Sequence, residues 1–164
     1  MAGLTPQALA VVVQLLAPLQ QAEHPSLPTY QHTAEQVFCL AQNAFWEARN
    51  QSEEGRLAVA FVTINRVRSQ SFPDTICGVV WQRKQFSWTH DGKGDHIPPV
   101  RVQDGTWERT VRLALRALSP YTDDPTNGAL FYHAQYVSPP WTQDIGMRAV
   151  LTIGDHTFYR RKRR

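Results

Sequence analysis

The chain has 164 residues, a formal net charge of +3, an ordinary apolar fraction of 42% and two cysteines. The length suits one domain able to bury a working core. Two cysteines exclude a disulfide-framework scaffold, and the lack of a Cys-x-x-Cys pair or a Cys/His quartet argues against a zinc module.

Thr5-Pro6 is a helix start, with threonine as cap and proline at the first helical position. Ala8, Leu9, Val12, Val13 and Leu16 then follow helical spacing until Pro18 kinks or ends the element. This stretch lacks preceding basic residues and a small-residue cleavage site, so it reads as a helix packed on the domain rather than a signal peptide. It is also too short to span a bilayer. His24 to Tyr30, with two prolines, is an extended connector, so residues 1–33 form a leading segment and 34–164 the main domain.

Val37, Leu40, Ala41, Ala44, Phe45 and Ala48 form the apolar stripe of a second helix, and Glu47 falls just outside it. A carboxyl group there is half desolvated, which raises its pKa toward what a general acid near neutral pH needs. The competing reading is a last-turn surface glutamate paired with Arg49 or another arginine, and the pattern alone favours it. Ser52 caps a third helix with Glu53 and Glu54 in its first turn. From Leu57 to Val67 this helix is apolar nearly all round, so it is central and buried. Asn65 and Arg66 near its end need partners, either loop carbonyls or groups in a site they help to wall.

Ser69 to Thr75 is a turn region, and Ile76 to Trp81 is short and buried. Cys39 and Cys77 both read as small buried apolar residues, with one bridge between them as the alternative. His90-Asp91-Gly92-Lys93-Gly94-Asp95-His96 holds metal-ligand residue types. However, Lys93 occupies a position where a calcium loop wants oxygen, and no bidentate Glu follows, so this is a glycine-hinged exposed loop. Asp104 caps a helix whose apolar face is Trp107, Val111, Ala114, Leu115 and Leu118, with Glu108 and Arg112 paired outside. Ala129 to Val137 is a strand, and residues 149–153 and 156–159 form a hairpin about Gly154-Asp155. The terminal run Arg160 to Arg164 is basic and suits anionic polymers or an anionic outer-membrane surface. No recognition motif accompanies it, so no nucleic acid is expected.

Glu47-Ala48-Arg49, Glu54 to Ala60, Asn65-Arg66-Val67, Phe72 to Thr75, Gly78 to Val80, Gln85-Phe86-Ser87, Tyr132-His133, Trp141 and Ile153 to Tyr159 occur in an order that resembles the cell-wall hydrolases of the spore-cortex-lytic (SleB/CwlJ) type. The resemblance covers about Phe38 to Arg160. It implies an α+β, lysozyme-like fold, mostly helical, with a small antiparallel sheet beside the catalytic cleft and about four helices in all. It implies cleavage of the β-1,4 bond between N-acetylmuramic acid and N-acetylglucosamine, with Glu47 as the acid and Tyr132 approaching it from the sheet. Gln85, Phe86, Ser87, Trp88, Asn65 and His133 are the candidate substrate-binding residues. No metal or cofactor is expected, the partner is peptidoglycan, and the chain reads as a monomer. Where the family continues Glu-Ala-Arg with Gly-Glu-Pro, this chain has Asn50, Gln51 and Ser52. If that second acid is catalytic, Glu53 or Glu54 must replace it; if it fixes the turn, nothing is lost.

With one motif-anchored carboxylate, a lytic transglycosylase is preferred over a two-carboxylate hydrolase. The setting expected from sequence is a phage endolysin, made in an infected host and acting in the periplasm, with an exported bacterial wall enzyme as the alternative. Rival functions are a metal-dependent amidase or peptidase using His90, Asp95, His96, His133 or His156, and a non-catalytic wall-binding or virion protein.

Overall fold

The computed structural model describes residues 3–21, 31–48 and 50–162. The helical lobe is organised by α2 (Ala34–Ala48) and α3 (Glu53–Val67), whose apolar residues supply most of the interior. The leading helix α1 (Pro6–Gln21) lays Ala8, Val12 and Leu16 on this core at four-residue steps. It accommodates Pro18 and ends three residues later, so the proline does not stop it where expected. The connector read over His24 to Tyr30 lies outside the described residues. A short helix, α4 (Ile76–Val80), is capped by Thr75, whose hydroxyl accepts from Gly78 N at 3.0 Å. The last long helix is α6 (Thr106–Leu118), and its Trp107 is fully buried against Phe38, with ring centroids 5.3 Å apart. The Trp107 indole N–H donates to the Ala8 carbonyl at 2.9 Å, so burying the ring leaves no polar atom unpaired.

Three local expectations are corrected. Cys39 and Cys77 form a disulfide that ties α2 to α4 across 38 residues, so they are not two separate apolar fillers. Helical periodicity reports which face a residue occupies and carries no signal for pairing between distant thiols. A further helix, α5 (Pro99–Gln103), starts on a proline and ends at Asp104, which therefore sits between two helices. Asp104 still accepts from Thr106 N at 2.8 Å, while Gly105, at φ 74°, holds the cap position itself. The four long helices expected are thus joined by two five-residue ones.

The second lobe is a three-stranded antiparallel sheet of β1 (Phe131–Ala134), β2 (Met147–Ile153) and β3 (His156–Arg161), in the order β1-β3-β2. β1 is shorter than the strand read over residues 129–137. Leu130 N still donates to Tyr159 O at 2.9 Å, extending the ladder by one bond. Gly154 at φ 55° takes the first position of the two-residue turn joining β2 to β3, a conformation that suits glycine. One sheet face carries Tyr132, Ile153, Phe158 and Leu151 onto Ala58 and Val62 of α3. The resulting architecture is α+β and lysozyme-like, with helices on one side of a small sheet.

Candidate active site

Glu47 lies in the last turn of α2, where an almost completely buried helix reaches the surface. It is partly exposed, and burial holds its carboxyl above the usual carboxylate range. A hydrogen bond from Tyr132 and the positive charge of Arg66 pull the other way without reversing the shift. The negative end of the α2 dipole also disfavours a carboxylate at this point. Tyr132 comes from β1 and points inward opposite Phe158, so its hydroxyl reaches across the seam to donate to Glu47 Oε2 at 2.7 Å. Burial, with the nearby Glu47 charge, lifts the tyrosine hydroxyl well above its ordinary pKa, so it serves as a neutral donor.

Arg66, in the last turn of α3, is 5% exposed. Its Nε donates to Leu130 O at 2.8 Å, just before β1. The guanidinium lies over the rings of Phe72 and Phe86, both at 5.2 Å, and of Phe131 at 5.8 Å. Three aromatic faces thus offset part of the cost of burying this cation.

Beside Glu47 is a cleft of about 360 Å³, lined also by Trp46, Asn50, Gln51, Ala134, Tyr136, Asp155 and His156. Gln51 Nε2 donates to Asp155 Oδ2 at 3.1 Å, and Asp155 N donates to Gln51 Oε1 at 3.2 Å. The amide that replaces the family's acid therefore clamps the hairpin turn. A glutamate there would have no proton to offer Asp155 and would repel it. His156 is 8% exposed, meets the Tyr132 ring edge-on at 5.2 Å, and has an Nδ1 with no hydrogen-bond partner. Burial holds its pKa below the usual histidine value, Asp155 opposing and His133 adding to that, so the ring is neutral at pH 7.

Several sequence candidates are placed elsewhere. Asn65 spends its amide on Asp124, Thr126 and Ala129 O at 2.8, 3.3 and 3.1 Å, holding a loop rather than walling a site. Phe86 and Trp88, at 2% and 7% exposure, are core residues and do not present faces to a sugar. Phe86 supports Arg66, and the Trp88 indole donates to Asn43 Oδ1 at 3.0 Å. Gln85 is half-buried and Ser87 exposed, and neither lines the Glu47 cleft. His133 makes contacts through both ring nitrogens, to Ala134 O at 2.8 Å and Tyr159 Oη at 2.9 Å, on the face opposite Tyr132. Glu53 turns toward α6 and pairs with Arg116, away from the cleft. Among the described residues no three His, Cys, Asp or Glu side chains converge on a metal-sized site. In place of those candidates stand Trp46, Gln51, Tyr136 and Asp155. Of these, Gln51 carried a signal in sequence, as the departure from the family pattern.

The profile of the Cell Wall Hydrolase family matches residues 50–159. The chain belongs to this family. The match begins three residues after Glu47 and takes in the Gln51 clamp, α3, Arg66 and the hairpin as far as Tyr159. Among curated cell wall hydrolases, the spore cortex-lytic enzyme of Bacillus subtilis is 31% identical over 120 residues, covering 73% of this chain and 35% of that enzyme. The corresponding enzyme of Halalkalibacterium halodurans is 36% identical over 93 residues, 57% of this chain and 25% of its own. The chain thus spans about a third of these relatives or less. The catalytic domain of the germination-specific lytic transglycosylase SleB from Bacillus anthracis superposes with a TM-score of 0.63 at 27% identity. That match covers 79% of this chain and 98% of the domain. The Bacillus cereus SleB catalytic domain gives 0.62 at 27% identity, covering 85% and 99%.

Proposed function

We propose that the chain cleaves the β-1,4 bond between N-acetylmuramic acid and N-acetylglucosamine in peptidoglycan, as a lytic transglycosylase. The observation that carries this reading is Glu47 at the lip of a cleft, bonded to the Tyr132 hydroxyl and with burial raising its pKa. Glu47 donates its proton to the glycosidic oxygen as the bond to the leaving sugar breaks. The carboxylate left behind keeps the Tyr132 donor and the Arg66 charge, which limit the cost of its ionised form. It then takes the proton from the sugar's 6-hydroxyl as that oxygen closes on C1, giving a 1,6-anhydro end and restoring the acid. The spore cortex-lytic relatives, and the transglycosylase named for the Bacillus anthracis domain, support the same reaction class.

Asp155 is the other carboxylate lining this cleft among the described residues, and it favours one second reading, hydrolysis through a carboxylate pair. Its commitment to Gln51 and its place on an exposed turn argue for the single-carboxylate route. Mass spectrometry of digested sacculi separates the two: 1,6-anhydromuropeptides are expected, and reducing muramic ends that disappear with Asp155→Asn would establish hydrolysis instead. The disulfide supports action on the oxidising side of the inner membrane, as for an enzyme released from an infected host into the periplasm. No described helix is long and apolar enough to cross a membrane.

A further inference from the structure

β3 runs from His156, in the wall of the Glu47 cleft, to the opposite end of the sheet. At that end Arg148 stands directly across from Arg160, Met147 across from Arg161, and Lys162 follows. With the loop at 124–130 these residues bound a groove of about 760 Å³, larger than the cleft itself. Like charges facing one another across a ladder destabilise a sheet. None of the four cations is in an ion pair among the described residues, although the Arg161 guanidinium rests over Phe131 at 5.7 Å. Asp124, the carboxylate in the groove wall, already accepts from Asn65, Thr126 and Gly128. Those neutral donors leave Asp124 its charge, so the groove wall sets four cations against one carboxylate and carries an excess of positive charge.

We propose that this groove binds the carboxylates of the stem peptides borne by the glycan strand being cut. The proposal rests on the glycan-cleaving reading above. Planar guanidinium groups match carboxylate oxygens two at a time. His156 in the cleft wall and Arg160 in the groove wall are about 13 Å apart along β3. The face they share is packed on α3 around the fully buried Phe158, so the peptide branches, rather than the sugar chain, cover the distance from a saccharide at Glu47 to the groove. The rival for these charges is the anionic outer-membrane surface suggested by the basic C-terminus. A flat bilayer meets protruding residues, whereas this site is concave and walled by a loop.

The test compares the full chain with a variant carrying Arg148→Gln, Arg160→Gln and Arg161→Gln, both in a Glu47→Gln background so that sacculi stay intact. Pelleting is measured with untreated sacculi, with sacculi whose carboxylates have been amidated, and with phosphatidylglycerol vesicles. The variant should bind untreated sacculi about tenfold more weakly, the worth of one charge-assisted hydrogen bond. It should match its parent on amidated sacculi and on vesicles. Equal binding to untreated sacculi, a difference that survives amidation, or a difference confined to vesicles would each overturn the proposal. Thermal unfolding of both chains checks that the fold is kept, and Lys162→Gln alone should show a smaller loss in the same direction. Pelleting requires no turnover. A native chain that releases no glycan fragments would therefore sink the cleavage reading while the groove result stands.

Discussion

The two lobes meet at Glu47 and contribute opposite things to it. The helical lobe is dry and nearly continuous, with α2 and α3 buried on almost every side, and its effect on the carboxyl is to withhold water. The sheet lobe is polar, aromatic and half exposed, and it supplies the Tyr132 donor, with His156 and the Gln51-clamped turn at Asp155 completing the cleft wall, while Arg66 at the end of α3 adds positive charge. Desolvation from one side favours the acid, and a donor from the other tolerates the base. Such a seam suits the acid-then-base role proposed for Glu47.

Removing the seam residue gives the largest effect. Glu47→Gln should lower turnover on sacculi by about 10² to 10⁴, the usual worth of a general acid-base. The same change should not destabilise the fold. Because the folded carboxyl has a raised pKa, its stabilising contribution is present at low pH and is lost as pH rises through that value. Chemical denaturation of the two chains should therefore show the variant gaining on the native protein as pH rises from acid to neutral, and a parallel pair of curves would contradict the burial argument.

Opening the Cys39–Cys77 bridge acts on the helical lobe alone. A 38-residue separation corresponds to about 4 kcal/mol on the chain-entropy account, or roughly a 10 °C fall in Tm. Thermal melts with and without reductant measure it, and an unchanged Tm would mean that α4 is held by packing. Tyr132→Phe acts on the sheet side. Loss of this bond should cost about tenfold in kcat. Because the bond favours the carboxylate form, its loss raises the Glu47 pKa further, and the alkaline limb of the pH profile should move to higher pH. A limb that moves to lower pH would show that Tyr132 stabilises the acid form instead. The smallest effect is expected from Gln51→Glu, which removes a donor and sets two carboxylates together at the hairpin turn, for about 1 kcal/mol. Adding Asp155→Asn should restore stability by returning an N–H donor, as urea unfolding of the three chains would show.

The same division explains what could be read from the residues. The long helices follow from a 3.6-residue period over many positions, and the Glu108–Arg112 pair and the Ser52 cap follow from spacing within one helix. Glu47 and Tyr132 were found together because a family resemblance joins residues 85 positions apart, which no local pattern does. Asn65 and Trp88 lie outside the lining of the Glu47 cleft for a physical reason. Each carries a sugar-compatible polar group, but buried polar groups are first of all satisfied by the fold, here by a loop and by Asn43. The Gln51–Asp155 clamp lay beyond reach because its partners are 104 residues apart and each looks like an ordinary turn residue.

Asn43, one turn before Glu47, has no solvent exposure, and both ends of its amide are engaged, Nδ2 to Thr63 Oγ1 at 3.2 Å and Oδ1 to the Trp88 indole. It works as an indexing pin. If α2 slid or rotated by a single residue, two hydrogen bonds would open in a region that water cannot enter to mend them. The bearing of Glu47 is thus locked in advance, and under the proposed reaction little reorganisation would be left for the chemical step itself.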